Sequence, residues 1–225
     1  MIRTKKHQSF PIPLAIASDA NGTTNLSIHG PALKVVLCLL HQVNLKHTKS
    51  RIPGQPVILK LPLDVLLERT GLSDYDTAVG LELAKNYVQR EDHNHFSFVN
   101  PETGEQLHWG ASRKNVYYGG ARHFFLPARV VVDQDEEAPH SIRNLTDEEV
   151  AIIVLLTFES KVQKACHFDI PAETLQTRAH IADAATFEDA LSRLIAVGLI
   201  QARPLGGLLR IVVSPWTEDY MNARP

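Results

Sequence analysis

The sequence predicts an α+β fold, mainly helical with small β-hairpins, in which one unit is built twice along 225 residues. Three features carry that expectation: a proline-marked block that recurs, an apolar helix after each copy, and a helix-turn-helix-hairpin pattern after each helix. The block reads "SFPIPLAIA" at Ser9–Ala17 and "FFLPARVVV" at Phe124–Val132. Placing Pro13 on Pro127 sets Ile12 on Leu126 and Ile16 on Val130. At 44% hydrophobic, the chain can bury one sizeable core or two small ones.

The first apolar helix is "PALKVVLCLLHQVN", entered through Gly30 and Pro31. Proline suits a first helical position because its missing N–H has no partner there. The second is "LTDEEVAIIVLLTFES", where Thr146 and Glu149 have capping-box spacing. Apolar residues fill more than one stripe of each helix, so each is expected at the centre of its own core. Leu61-Pro62 and Ile170-Pro171 then open a short helix, and a turn follows. A longer helix begins with Ser73 and Asp76, or Thr186 and Asp189, again at capping-box spacing. Asp74 and Asp76 lie in a first turn, where the helix dipole favours negative charge by about 0.3–1 kcal/mol. Hairpin signals close each copy: "HFSFV-NPETGE-QLHWG" turns through Asn100-Pro101 and Gly104, and "LIQAR-PLGG-LLRIVV" through Pro204 and Gly206-Gly207. Helix, short helix, long helix and hairpin make a winged helix. The expected organisation is two tandem winged-helix (helix-turn-helix) domains, residues 1–112 and 113–225, joined near Gly119-Gly120.

Net charge is −2, but its distribution is uneven. Residues 1–60 carry eight Lys/Arg against one acid and 111–132 carry four against none, whereas 61–110 carry three against nine and 133–225 eight against fifteen. Two basic segments could therefore meet phosphate while the rest repels it. No stretch has the roughly 18 uninterrupted apolar residues of a membrane span, and the first twenty residues lack a signal pattern, so a cytoplasmic protein with no membrane partner is expected. Cys38 and Cys166 sit in or beside apolar helical patterns and read as buried thiols rather than a disulfide framework.

"TGLS" at Thr70–Ser73 and "ALSRLIAVGLI" at Ala190–Ile200 resemble winged-helix DNA-binding proteins, over most of residues 9–215. The tandem arrangement is similar to the two-domain initiators of plasmid replication. The first half also resembles the N-terminal domain of phage replication-organiser proteins, where an "IP" block, an apolar helix and a "TGLS" turn follow in order. The resemblance implies recognition helices at Asp74–Arg90 and Thr186–Val197, and wings at His93–Gly110 and Leu199–Val213. A major-groove reader carries Arg, Lys, Asn or Gln at the start of that helix. Here stand Asp74, Tyr75, Asp76, Thr77 and Glu82, and later Glu188 and Asp189, so little direct base readout is expected.

DNA contact is instead assigned to four places. These are the arm with Arg3, Lys5 and Lys6; the helix end and following positions Lys85, Asn86, Gln89 and Arg90; the linker with Arg113, Lys114 and Arg122; and Arg193 with Arg203 in the second half. Double-stranded DNA is the expected partner, with a second copy of the chain and a replication or segregation protein as further candidates. The alternative is a winged-helix subunit that clasps other proteins, as in chromosome segregation, for which acidic helices are suited. His93, His95 and His108 could face one side of a hairpin, but without a Cys or HxxxH partner they read as wing histidines, and neither metal nor cofactor is expected. There is no GxSxG, P-loop or strand-to-helix GxGxxG, and "DQDEE" reads as a solvated loop, so the chain is not expected to be an enzyme.

Overall fold

The computed structural model describes residues 9–18, 24–46, 52–109, 123–131 and 141–213. The fold is mixed α and β, with small sheets. In the first half, β1 (Ser9–Pro13) runs into a 3-10 turn and then α1 (Pro31–Lys46), β2 (Ile58–Lys60), α2 (Leu63–Thr70), α3 (Asp74–Leu83), β3 (Val88–Arg90) and β4 (His95–Phe98). The second half repeats the order: β5 (His123–Pro127), a 3-10 turn, α4 (Asp147–Gln163), β6 (His167–Pro171), α5 (Ala172–Arg178), α6 (Ala184–Ala196), β7 (Ile200–Leu205) and β8 (Leu208–Val213). The two three-stranded sheets have matching antiparallel orders, β2-β4-β3 and β6-β8-β7.

The recurring proline block, to which the sequence assigned no element, forms in each half a strand followed by a 3-10 turn, with Pro13 and Pro127 as the last strand residues. The two copies also pair with each other. Ser9 lies opposite Pro127, Pro11 opposite Phe125 and Pro13 opposite His123, forming an antiparallel ribbon. An antiparallel pair of equivalent strands is related by a local two-fold axis, so the halves are arranged like the subunits of a symmetric dimer.

Both central helices are buried on every side, α1 from Ala32 to Val43 and α4 from Glu149 to Ser160, because each is covered by its own short helices and sheet and by the other half. The expectation of one core per central helix gives way to a continuous core. Phe10, Ile12 and Ile16 from one block and Phe124, Leu126 and Val130 from the other join the residues of α1 and α4 in a single cluster. Gly80 of α3 permits close packing on α1, since a Cβ there would lie 2.9 Å from the Pro31 carbonyl oxygen.

Several sequence expectations are corrected. The first long helix ends at Leu83, not near Arg90, and Val88–Arg90 is a strand. The main hairpin of the first half is β3–β4, turning through residues 91–94. The reversal at Asn100 and Gly104 exists but is a second one: Gly104 N–H donates to Asn100 O at 2.7 Å, and the chain then returns along residues 54–57. The N-cap of α6 is Asp183, whose carboxylate accepts from Thr186 N–H at 2.8 Å, in place of Thr186 itself. Strands β2 and β6 are additional. The join near Gly119-Gly120 lies outside the described residues, as does "DQDEE". No described helix is long and apolar enough to cross a membrane.

Candidate nucleic-acid interface

The two helix-turn-helix elbows are locked by contacts exchanged between halves. In the first, Gly71 caps α2 at φ +68°, the left-handed region that favours glycine. A Cβ on Gly71 would lie 2.4 Å from the backbone oxygen of Arg143, so the loop before α4 sits directly on this elbow. In the second, His180 occupies the equivalent left-handed position at φ +57°. Its Nε2 lies 2.9 Å from Leu26 O, its ring stacks on His29 at 5.1 Å between centroids, and Leu26 N–H reaches Arg178 O at 3.3 Å. Each loop before a central helix thus docks on the other half's elbow. Lys34, buried in α1, reinforces the exchange by donating to Leu145 O at 2.6 Å, with Asp147 3.4 Å away. Burial pushes the Asp147 carboxyl above the ordinary range, Lys34 opposes this, and Glu148 and Asp76 add to the rise.

Long helix α3 starts at Ser73, whose Oγ accepts from Asp76 N–H at 3.1 Å and donates to the Asp76 carboxylate at 2.6 Å. Asp74, Tyr75, Ala78, Glu82 and Leu83 are exposed on it, with Tyr75 76% exposed. On α6, Ala185, Glu188, Asp189, Ser192 and Ile195 are exposed. The exposed side of α3 carries no Lys or Arg, and the one exposed cation of α6, Arg193, is paired with Glu149.

Of the positions assigned to DNA from sequence, Arg3, Lys5, Lys6, Arg113, Lys114 and Arg122 lie outside the described residues. Lys85 is exposed but pairs with Glu82 at 2.9 Å. Arg90 folds over its own turn, donating from Nε to Asp92 O at 3.0 Å, with Nη2 3.3 Å from His93 Nδ1. Arg193 is structural: its Nε sits 2.9 Å from Glu149 Oε1 as an ion pair without hydrogen-bond alignment. Glu149 is fully buried and completes the capping box of α4, its Oε2 accepting from Thr146 N–H at 2.8 Å. Asn86, Gln89 and Arg203 are exposed. Gln89 lies on β3 and Arg203 on β7, so the structure places them on equivalent strands of the two hairpins.

Sequence reasoning passed over four further exposed cations among the described residues, one of them Lys164 at the C-cap of α4. Lys60 stands on β2, Arg143 on the loop before α4, and Arg210 on β8, where Asp169 of β6 grips it at 2.9 and 3.0 Å. That two-point grip holds the Asp169 carboxyl below its usual range. The sequence "LLRIVV" has no polar and apolar alternation to announce an outward Arg210; the exposed and buried alternation of β8 emerges only in the folded sheet.

Among the histidines, His95 Nδ1 lies 2.8 Å from Asp92, His93 faces Arg90, and His108 is exposed on the returning segment. No group of three or more His, Cys, Asp or Glu side chains suited to a metal occurs among the described residues. Cys38 is buried and Cys166 half-buried, and both are thiols. An open cleft of about 370 Å³ lies between α4, α5 and β6, lined by Glu159, Gln163, Asp169 and Arg178. Its charges are mutually satisfied: Arg178 meets Glu159 at 2.6 Å, and Asp169 is held by Arg210. The chain matches no protein-family model, no curated protein and no solved structure.

Proposed function

We propose that the chain is a non-enzymatic DNA-binding protein of the replication-initiator or transcription-regulator kind, built from two tandem winged-helix domains near residues 1–112 and 113–225. One observation carries the reading: the same order of strand, helix, strand, helix, helix and hairpin occurs twice, with matching strand orders, around an antiparallel β1–β5 ribbon. Two helix-turn-helix units held in a fixed two-fold relation suit a duplex, whose backbone is itself two-fold symmetric. Contact is made mainly to phosphates, by the basic segments around Lys5/Lys6 and Arg113/Lys114 and by exposed hairpin positions such as Gln89 and Arg203.

The test is a duplex titration by fluorescence anisotropy across salt concentrations. Log affinity should fall linearly with log salt, with a slope near −0.9 per phosphate neutralised. Replacing Lys5/Lys6 or Arg113/Lys114 with alanine should weaken binding and shallow the slope. Absence of binding at low salt, or unchanged affinity in both double variants, overturns the reading.

A second reading, a subunit that binds other proteins, is favoured by the acid and apolar character of α3 and α6. Tyr75, Leu83 and Ile195 are exposed beside Asp74, Glu82, Glu188 and Asp189, while Lys85, Arg90 and Arg193 are already engaged. Where Tyr75, Leu83 and Ile195 carry the contact, such an interface would bind its partner with less salt dependence than a phosphate contact.

A further inference from the structure

The two hairpins differ in chemistry. The first, from Val88 to Phe98, turns through Glu91 and Asp92, whereas the second, from Ile200 to Val213, carries two arginines and no acid. At its end Gly206 and Gly207 have φ of +55° and +86°, the pair of positive angles of the tight turn that continues strand twist. A Cβ on either glycine would meet nothing within 4 Å, so the backbone angles call for glycine there and the tip stays slender.

Behind the tip the pairing places Leu205 opposite Leu208, and Arg203 opposite Arg210. These two rows are two residues apart on each strand and share one face of the sheet. The leucines are 44% and 38% exposed. Arg210 is taken up by Asp169, which leaves Arg203 as the uncompensated guanidinium of the hairpin. A narrow, cationic ribbon with a pair of solvent-facing leucines at its end has the features of a minor-groove wedge: arginine for the negative groove, apolar groups to enter a base step.

Resting on the DNA-binding reading above, we propose that the β7–β8 hairpin inserts Leu205 and Leu208 into a minor groove, unstacking one base step and bending the duplex, with Arg203 on the groove wall. The first hairpin, acidic at its turn, cannot act in this way, so bending is confined to one end of the bound site. Charge favours duplex DNA over an apolar protein partner, because the hairpin carries no acid of its own and, with Arg210 neutralised by Asp169, Arg203 leaves it net positive.

The experiment compares the full chain with Leu205→Ala/Leu208→Ala and with Arg203→Ala. The DNA is a set of 30-base-pair duplexes containing TA and CA steps, carrying end-to-end fluorescence donors and acceptors and 2-aminopurine beside those steps. Thermal melts establish that the variants fold. The proposal expects the wild type to shorten the end-to-end distance and brighten 2-aminopurine. The double leucine variant should lose both signals and bind roughly tenfold or more weaker, the scale of lost leucine burial. Arg203→Ala should weaken binding and reduce the salt slope by about one. Wild-type binding without bending or unstacking, or equal signals in the leucine variant, overturns the wedge and leaves the DNA-binding reading standing. No binding by any of the three proteins to any duplex overturns both, and the leucine pair then belongs to a protein contact.

Discussion

His41 lies in the middle of α1, 3% exposed and edge-on to Phe10 at 5.2 Å between ring centroids. Burial, helped by the nearby positive charge of Arg69, lowers its pKa from 6.5 to about 4. Between those values the unfolded chain holds a proton that the folded chain refuses. Stability from this site is therefore complete above about pH 6.5, falls as pH drops, and levels off below about pH 4. The loss is on the order of 2 kcal/mol by pH 5. Urea unfolding at pH 7 and pH 5 should show it, and His41→Leu should flatten that part of the profile. Gly71 makes a different demand, combining a left-handed backbone with a carbonyl of the other half where its Cβ would be. Gly71→Ala should cost at least about 1–2 kcal/mol from backbone conformation alone, and more from displacement of Arg143, read as a lower unfolding midpoint. Arg193 is the residue whose role the structure changes. Arg193→Ala strands the buried Glu149 carboxylate and should lower stability by about 1–2 kcal/mol, while leaving the affinity of the folded protein for duplex unchanged.

At the scale of elements, caps decide where the helices begin. Thr146→Ala removes the side chain that accepts from Glu149 N–H at the start of α4 and should cost about 1 kcal/mol in chemical denaturation. This cap was readable because Thr146 and Glu149 stand three residues apart before an unbroken apolar run. The cap of α6 was less readable: Asp183, Thr186 and Asp189 repeat at the same interval, so spacing alone admits two starts, and the earlier one is used. The central helices were legible from composition, but β2 was not, because the three residues of "ILK" are too short to display a strand period. The first hairpin was misplaced because Asn100-Pro101 and Gly104 form a stronger turn signal than the glycine-free and proline-free "EDHN" at residues 91–94. Asp92 compensates for the missing glycine, accepting from the N–H groups of Asn94 and His95 at 2.7 and 2.9 Å. For the candidate interface, charge was visible in the sequence but its pairing was not. Arg193 finds Glu149, and Arg210 finds Asp169, only through the fold.

In the whole molecule, the recurrence of the proline block disclosed the duplication, but nothing in either copy announced that the copies pair with one another. A strand of five residues with two prolines is a poor member of a wide sheet, and a two-stranded ribbon asks less of it. Removing β1 should accordingly damage both halves, since β5 loses its partner and Phe10 and Ile12 leave the shared core. A chain starting at Leu14 should show one much-lowered melting transition rather than an intact second half. The same ribbon also governs synthesis. Ser9 is made early and its partner Pro127 much later, so a nascent chain emerging at about 5–20 residues per second carries an unmatched apolar strand for on the order of ten seconds. During that interval the amino-terminal segment is a candidate for chaperone capture, and slowing the ribosome between the two blocks should lengthen that vulnerability.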